Sequence, residues 1–193
     1  MRVLTAFTII FFTFISLTKA DDIREIEIEG MVIGDSALNF FNRNQINKNF
    51  YPKSKKYYYS FHNTKNSDNY DQIQIHLKNN DENFIIQGLR AGKLFGENIS
   101  ECLLKKSSLV EEVKLVIGPN IKPEIFPKYK HSDMYPNSFV HSTQFEFNNG
   151  SLLRVYCMDF SKKVSDEKGW QDSLSIEIYN SDYRNFIRDE AYN

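Results

Sequence analysis

Polar and apolar residues alternate in several short runs along this chain, and each run predicts a strand. Gln72–Lys78 sets Ile73, Ile75 and Leu77 against Gln72, Gln74 and His76, the period of two of a half-buried strand. Asn79-Asn80-Asp81 reads as a turn and Phe84–Leu89 as the returning strand, so the pair predicts an antiparallel hairpin. Val140–Phe147 and Leu152–Phe160 repeat the arrangement about Asn148-Asn149-Gly150, a hairpin turn of the Asn-Gly kind. Leu174, Ile176 and Ile178 alternate as a last strand, and Tyr57–Phe61 is aromatic and β-prone. Near the front, Glu25–Glu29 predicts a strand. A turn and a short helix follow, with Leu38 and Phe41 on one face and Asp35 or Ser36 as cap.

The period becomes helical at Ile99–Ile117. Ile99, Cys102, Leu103, Leu109, Val110, Val113, Val116 and Ile117 form one stripe. Asn98 can cap this helix, with Glu101 three residues on as in a capping box. Gly118-Pro119 predicts its stop, Gly118 serving as a left-handed cap. Residues 119–137 carry four of the five prolines and little periodicity, which predicts a long, functional or mobile loop. Ser161–Gly169 reads as a charged loop, and Tyr183–Ile187 as the start of a terminal helical turn. These elements predict an α+β fold: antiparallel β-sheets with one long packed helix and a short N-terminal helix. A single domain over 21–193 is expected. The shared pattern of Asp71–Leu77 and Asp172–Ile178 leaves two small lobes, about 21–118 and 138–193, as the alternative, joined by the proline-rich loop 119–137.

The first twenty residues change the picture, because they carry an address. Arg2 is followed by the apolar run Val3–Leu17 and then Thr18-Lys19-Ala20, the three parts of a secretory signal peptide ending at residue 20. The run is about 15 residues, short of the roughly 20 that cross a bilayer as a helix, and it contains Thr5, Thr8 and Thr13. Cleavage is therefore expected, with retention as a single anchor the alternative, and no later segment is apolar enough to span a membrane. The address predicts a periplasmic or secreted protein. Removing Arg2 and Lys19 takes the charge from −1 to near −3, too balanced for a nucleic-acid binder. Aromatics at 15% supply ample core and argue against disorder.

An exported chain with two cysteines, Cys102 and Cys157, predicts a disulfide, and Cys102 on the apolar helical stripe would reach a strand beneath. Two buried free thiols are the alternative.

Candidate chemistry is sparse. His131, Asp133 and His141 are weak metal candidates, since a His-x-Asp pair alone does not assemble a site. No Gly-x-Ser-x-Gly elbow or phosphate-cradling glycine loop is present, and no cofactor is called for. Lys53–Tyr59 combines bases with Tyr57, Tyr58 and Tyr59, a candidate ligand or partner surface, although successive rings on a strand alternate faces. Trp170 is either a partner anchor or a core lid. Asn98-Ile-Ser100 and Asn149-Gly-Ser151 match glycosylation acceptors, and a helix cap and a hairpin turn explain both equally well.

Ile26-Glu-Ile-Glu-Gly30-Met31-Val-Ile-Gly34-Asp35-Ser36 resembles the start of small, uncharacterised secreted α+β proteins of AT-rich bacteria, where a strand runs through an I-x-G-M-x-I-G-D-S turn into a short helix. More distantly it is similar to the Gly-Met turn of the BamE-like outer-membrane assembly lipoproteins. This chain lacks their lipidated cysteine and is longer. The resemblance implies an exported α+β protein and transfers no site residues.

The expectation is a non-enzymatic envelope or periplasmic protein that binds another macromolecule through the proline-rich segment. The first alternative is a small-ligand or carbohydrate binder using the Tyr57–Phe61 surface; the second is an enzyme of unrecognised type.

Overall fold

A computed structural model describes residues 19–64, 69–132 and 135–192. The segment read as a signal peptide lies outside the described residues up to residue 18.

The alternating runs become strands of one antiparallel sheet. They are β1 (Asn49–Phe50), β2 (Tyr57–Asn63), β3 (Gln72–Lys78), β4 (Ile86–Leu94), β5 (Pro123–Lys130), β6 (Phe139–Glu146), β7 (Leu152–Asp159) and β8 (Ser173–Tyr179). Their order is β1-β2-β3-β4-β8-β7-β6-β5. Each half is a meander, and the halves meet where β4 pairs with β8, from Gly88 opposite Tyr179 to Leu94 opposite Ser173. Both halves therefore share one sheet. The two segments of similar pattern become β3 and β8, the third strand of one meander and the fourth of the other, so they hold non-equivalent places.

One face of the sheet, the helix face, is covered by α1 (Ile99–Val116), which buries Cys102, Val110 and Val113 against β7 and β8. Ile73, Ile75, Leu77, Leu89, Val155, Leu174, Ile176 and Ile178 contribute the sheet's side of the same buried core. Cys102 is bonded to Cys157 of β7, the Cα atoms 6.2 Å apart, as the apolar position of Cys102 predicts. Asn98 caps α1 through Oδ1, which accepts the Glu101 N–H at 3.2 Å, while Asn98 Nδ2 donates to Glu101 Oε2 at 3.0 Å.

The C-terminal end of α1 differs from expectation. Ile117 leaves the helix in an extended conformation, and Gly118 is not left-handed. A Cβ at 118 would meet the Asp21 carboxylate, which would have to swing aside. Ala20 lies alongside, its N–H donating to the Val116 carbonyl at 2.8 Å and its carbonyl accepting from Gly118 at 3.0 Å.

The N-terminal stretch covers the rest of the helix face with Ile23, Ile26, Ile28, Met31, Ile33 and Ala37. The strand expected over Glu25–Glu29 is absent. A 3-10 turn at Ile23–Glu25 and a tight Ile28–Met31 bridge replace it, and the expected short helix is a single 3-10 turn, Ala37–Asn39, capped by Ser36. Its backbone is satisfied by these local turns and by bonds to the start of β4, Gly34 N–H to the Ile86 carbonyl at 3.0 Å and Ile86 N–H to the Asp35 carbonyl at 2.9 Å.

Three further expectations are corrected. Residues 123–130 of the proline-rich segment form β5. Pro123 and Pro127 are tolerated there because β5 is an edge strand, and a register shift between Phe126 and Tyr129 absorbs Pro127. The charged segment after Ser161 contains α2 (Lys162–Lys168), whose one buried side chain is Val164 and whose exposed side carries Lys162–Asp166 and Lys163–Glu167 pairs. A single apolar anchor leaves no period to read. The C-terminal turn is a full helix, α3 (Ser181–Asp189), capped by Asn180 Oδ1 on the Tyr183 N–H at 2.8 Å.

Candidate functional site

Alternation sends a second set of side chains to the face away from α1, and this set is polar. Strand register lines up Phe61, Gln74, Arg90, Glu177 and Arg154 in one row across β2, β3, β4, β8 and β7. Buried polar side chains must find partners. Glu177 finds three: Arg154 Nη2 at 2.6 Å, the Tyr179 hydroxyl at 2.7 Å and the Tyr156 hydroxyl at 3.2 Å. The Arg90 and Arg154 guanidiniums both sit against the Tyr156 ring, 5.6 and 4.2 Å from its centroid. Arg90 Nε donates to Ser175 Oγ at 3.0 Å, and this is the only hydrogen bond its guanidinium makes among the described residues. Two guanidiniums thus face one carboxylate.

One end of this face is closed by α3. Gly88 makes that closure feasible, because a Cβ there would stand 2.8 Å from the Tyr183 ring. Tyr183, Phe186, Tyr51 and Tyr57 pack beneath the helix as a second core. Within it, His76 Nδ1 is hydrogen-bonded to the hydroxyls of Tyr51 at 2.8 Å and Tyr183 at 2.6 Å, and the two hydroxyls contact each other. Burial, reinforced by the nearby Arg90 charge, holds the His76 imidazole down to about 3, so it is neutral at ordinary pH. Burial also pushes the Tyr183 and Tyr179 hydroxyls well above their usual range.

The other end is hollow. A cavity of about 290 Å³ opens there. Its floor is Gln72, Gln74, Arg90 and Gly92, and its walls are Phe61, Leu94, Met158, Phe160 and Trp170. Gly92, two residues beyond Arg90, contributes no side chain. Gly169 ends α2 and turns Trp170 over the opening. The Trp170 ring is supported from behind by Tyr135, 4.9 Å between centroids, and by Phe160 at 5.3 Å. Large apolar side chains are rarely left exposed together on a protein surface. Here Phe61 is 48% exposed, Leu94 42% and Trp170 42%, and all three converge on this cavity. Among the described residues, Arg90 is the one ionisable side chain in its lining.

The other candidate residues are distributed as follows. Tyr57 and Tyr58 are 2% and 1% exposed, on opposite faces of β2, so neither presents a ring to solvent. Tyr59 is half-buried beside Tyr51 and Phe61. The exposed ring of that run is Phe61. His141 Nε2 lies 3.8 Å from Asp159 Oδ2, whereas His131 packs against Tyr135 and Phe160, and Asp133 lies outside the described residues. Among the described residues, no three His, Cys, Asp or Glu side chains gather as metal ligands would. The residues missed by sequence reasoning are Arg90, Gly92, Gln72 and Gln74. The pattern Gly88-x-Arg90-x-Gly92 was their signal, since it puts a lone cation between two glycines on one face of a strand.

No family model, curated protein or solved structure matches this chain. No described helix is long and apolar enough to cross a membrane.

Proposed function

We propose that this chain is an exported protein that binds a small amphipathic molecule in the cavity between β2, β3, β4 and Trp170. The observation that carries the reading is the convergence of exposed Phe61, Leu94 and Trp170 on one glycine-floored cavity. Its size falls just under the ~300 Å³ lower end of small-molecule sites, and its make-up, apolar walls with a few polar groups, is that of such sites. Binding rather than turnover is supported by the lining: arginine keeps its proton, so Arg90 serves as a donor and not as an acid or base. Export is supported by the tripartite N-terminal segment and by the Cys102–Cys157 bridge, a bond of oxidising compartments.

The test is a fragment screen followed by two-dimensional NMR of the backbone amides and the Trp170 indole. Binders should perturb Gly92, Trp170 and Phe61 together, and Gly92→Val, which fills the floor, should abolish those shifts without unfolding the protein. Fragments that bind only elsewhere, or shifts that survive Gly92→Val, would overturn the reading.

A second reading, a macromolecular partner, is favoured by one observation. Ile125 is 63% exposed on β5, whose outer edge has no strand partner among the described residues. Ile125→Asp should then abolish capture of an envelope partner and leave the cavity's ligands unaffected.

A further inference from the structure

We infer that the ligand of this cavity carries an anionic head of carboxylate type, seated on Arg90, with an apolar or aromatic body held between Phe61 and Trp170. The inference deepens the small-molecule reading and rests on it.

The argument is one of charge and geometry. Burying an ion is costly unless a partner of opposite sign neutralises it. Along the central row the partner of Arg90 by register is Glu177, yet Glu177 Oε1 lies against Arg154 Nη2 at 2.6 Å and Oε2 accepts from the two tyrosine hydroxyls. Arg90 keeps one neutral acceptor, Ser175 Oγ, and its terminal N–H groups have no acceptor among the described residues. The guanidinium lines the cavity, and no carboxylate does so among the described residues. A guanidinium presents parallel N–H donors that fit the two oxygens of a carboxylate. An anion placed there would restore the balance of two cations and one anion on this face.

The surroundings restrict the rest of the molecule. Gln72 and Gln74 flank the Arg90 head and supply amides for further oxygens. Beyond Gly92 the lining turns apolar at Leu94 and Met158, with Trp170 above. A fully polar anion such as phosphate would leave these walls unfilled; a neutral apolar molecule would take water from the half-buried Arg90 guanidinium and offer its terminal N–H groups no acceptor. An amphipathic carboxylate satisfies both.

The experiment compares 3-phenylpropanoate with 3-phenylpropanamide, which have nearly the same shape and differ in charge. Binding to the whole mature protein is followed by calorimetry and by the NMR signals of Arg90 Nε–H and the Trp170 indole. The carboxylate should bind at least about tenfold tighter, the size of a charge-assisted bond against a neutral one, and shift both signals. Arg90→Gln should bring the carboxylate down to the affinity of the amide. Equal affinities for the two probes in the native protein would overturn the inference and leave the cavity reading standing. If both probes leave the Trp170 signal unmoved at millimolar concentration, and the fragment screen finds no other occupant, both readings fall. The two probes are compared on the native protein, so a variant that failed to fold would not protect the inference.

Discussion

Arg90 and Glu177 stand directly opposite one another on β4 and β8, yet the Glu177 carboxylate lies against Arg154 at 2.6 Å and leaves Arg90 with a serine hydroxyl. The two arginines should therefore respond differently from their shared carboxylate. Glu177→Gln leaves two guanidiniums facing no charge and should cost about 3 kcal/mol or more of unfolding free energy, as breaking a buried pair does. Arg90→Gln removes the excess charge and should cost less than about 1 kcal/mol, or stabilise, because the Glu177–Arg154 pair survives. Urea unfolding of both variants decides it; equal losses would mean that Glu177 serves the two cations alike.

The buried His76 gives a signed pH dependence. Its folded value, near 3, lies below the ordinary 6.5. Below pH 6.5 the unfolded chain takes up a proton that the native state refuses, so stability falls as pH drops from 6.5 toward 3 and is flat above. His62 and His131, also held down by burial, act in the same direction. His76→Asn should flatten most of the decline between pH 6.5 and 4.5, measured by urea midpoints at each pH. An unchanged slope in that variant would show that His76 is not its source.

Gly88 and Gly92 occupy the same face of β4 four residues apart and should tolerate alanine unequally. At Gly88 the new Cβ meets the buried Tyr183 ring at 2.8 Å, so α3 must shift, and overpacking of this kind costs roughly 1–3 kcal/mol. At Gly92 the nearest atoms are in the Gln72 side chain at 3.4 Å, an ordinary contact, and the change should lie within about 0.5 kcal/mol of neutral or stabilise. Thermal unfolding of the two variants is enough to see the difference.

The Cys102–Cys157 bridge fastens α1 to the middle of the sheet across 55 residues of chain. Its removal as Cys102→Ala/Cys157→Ala should lower unfolding free energy by roughly 3–4 kcal/mol, judged by denaturant midpoint in oxidising buffer. A loss below 1 kcal/mol would mean that the packing of Val110 and Val113 holds α1 without it.

Much of the fold is written in local pattern. Ile73-x-Ile75-x-Leu77 and Leu174-x-Ile176-x-Ile178 are strands because their alternation suits one buried face, and Asn98 with Glu101 marks the start of α1. Where pattern was weak, the expectation failed. The β5 segment carries prolines that a central strand would reject, and α2 shows one apolar residue in seven. Tyr57–Tyr59 looked like a surface because tyrosine carries a polar tip, but Tyr57 and Tyr58 meet packing partners on both sides of the sheet.

The amino-acid sequence by itself determined β3, β4, β6, β7, β8 and the long helix α1. These depend on periodicity and capping, which act over a few neighbouring residues. The cavity depended on the tertiary structure, because Phe61, Arg90, Met158 and Trp170 lie on β2, β4, β7 and the turn before β8. Strand order and register decide which of them become neighbours. Only the assembled sheet places Arg90 opposite a carboxylate that Arg154 has already neutralised.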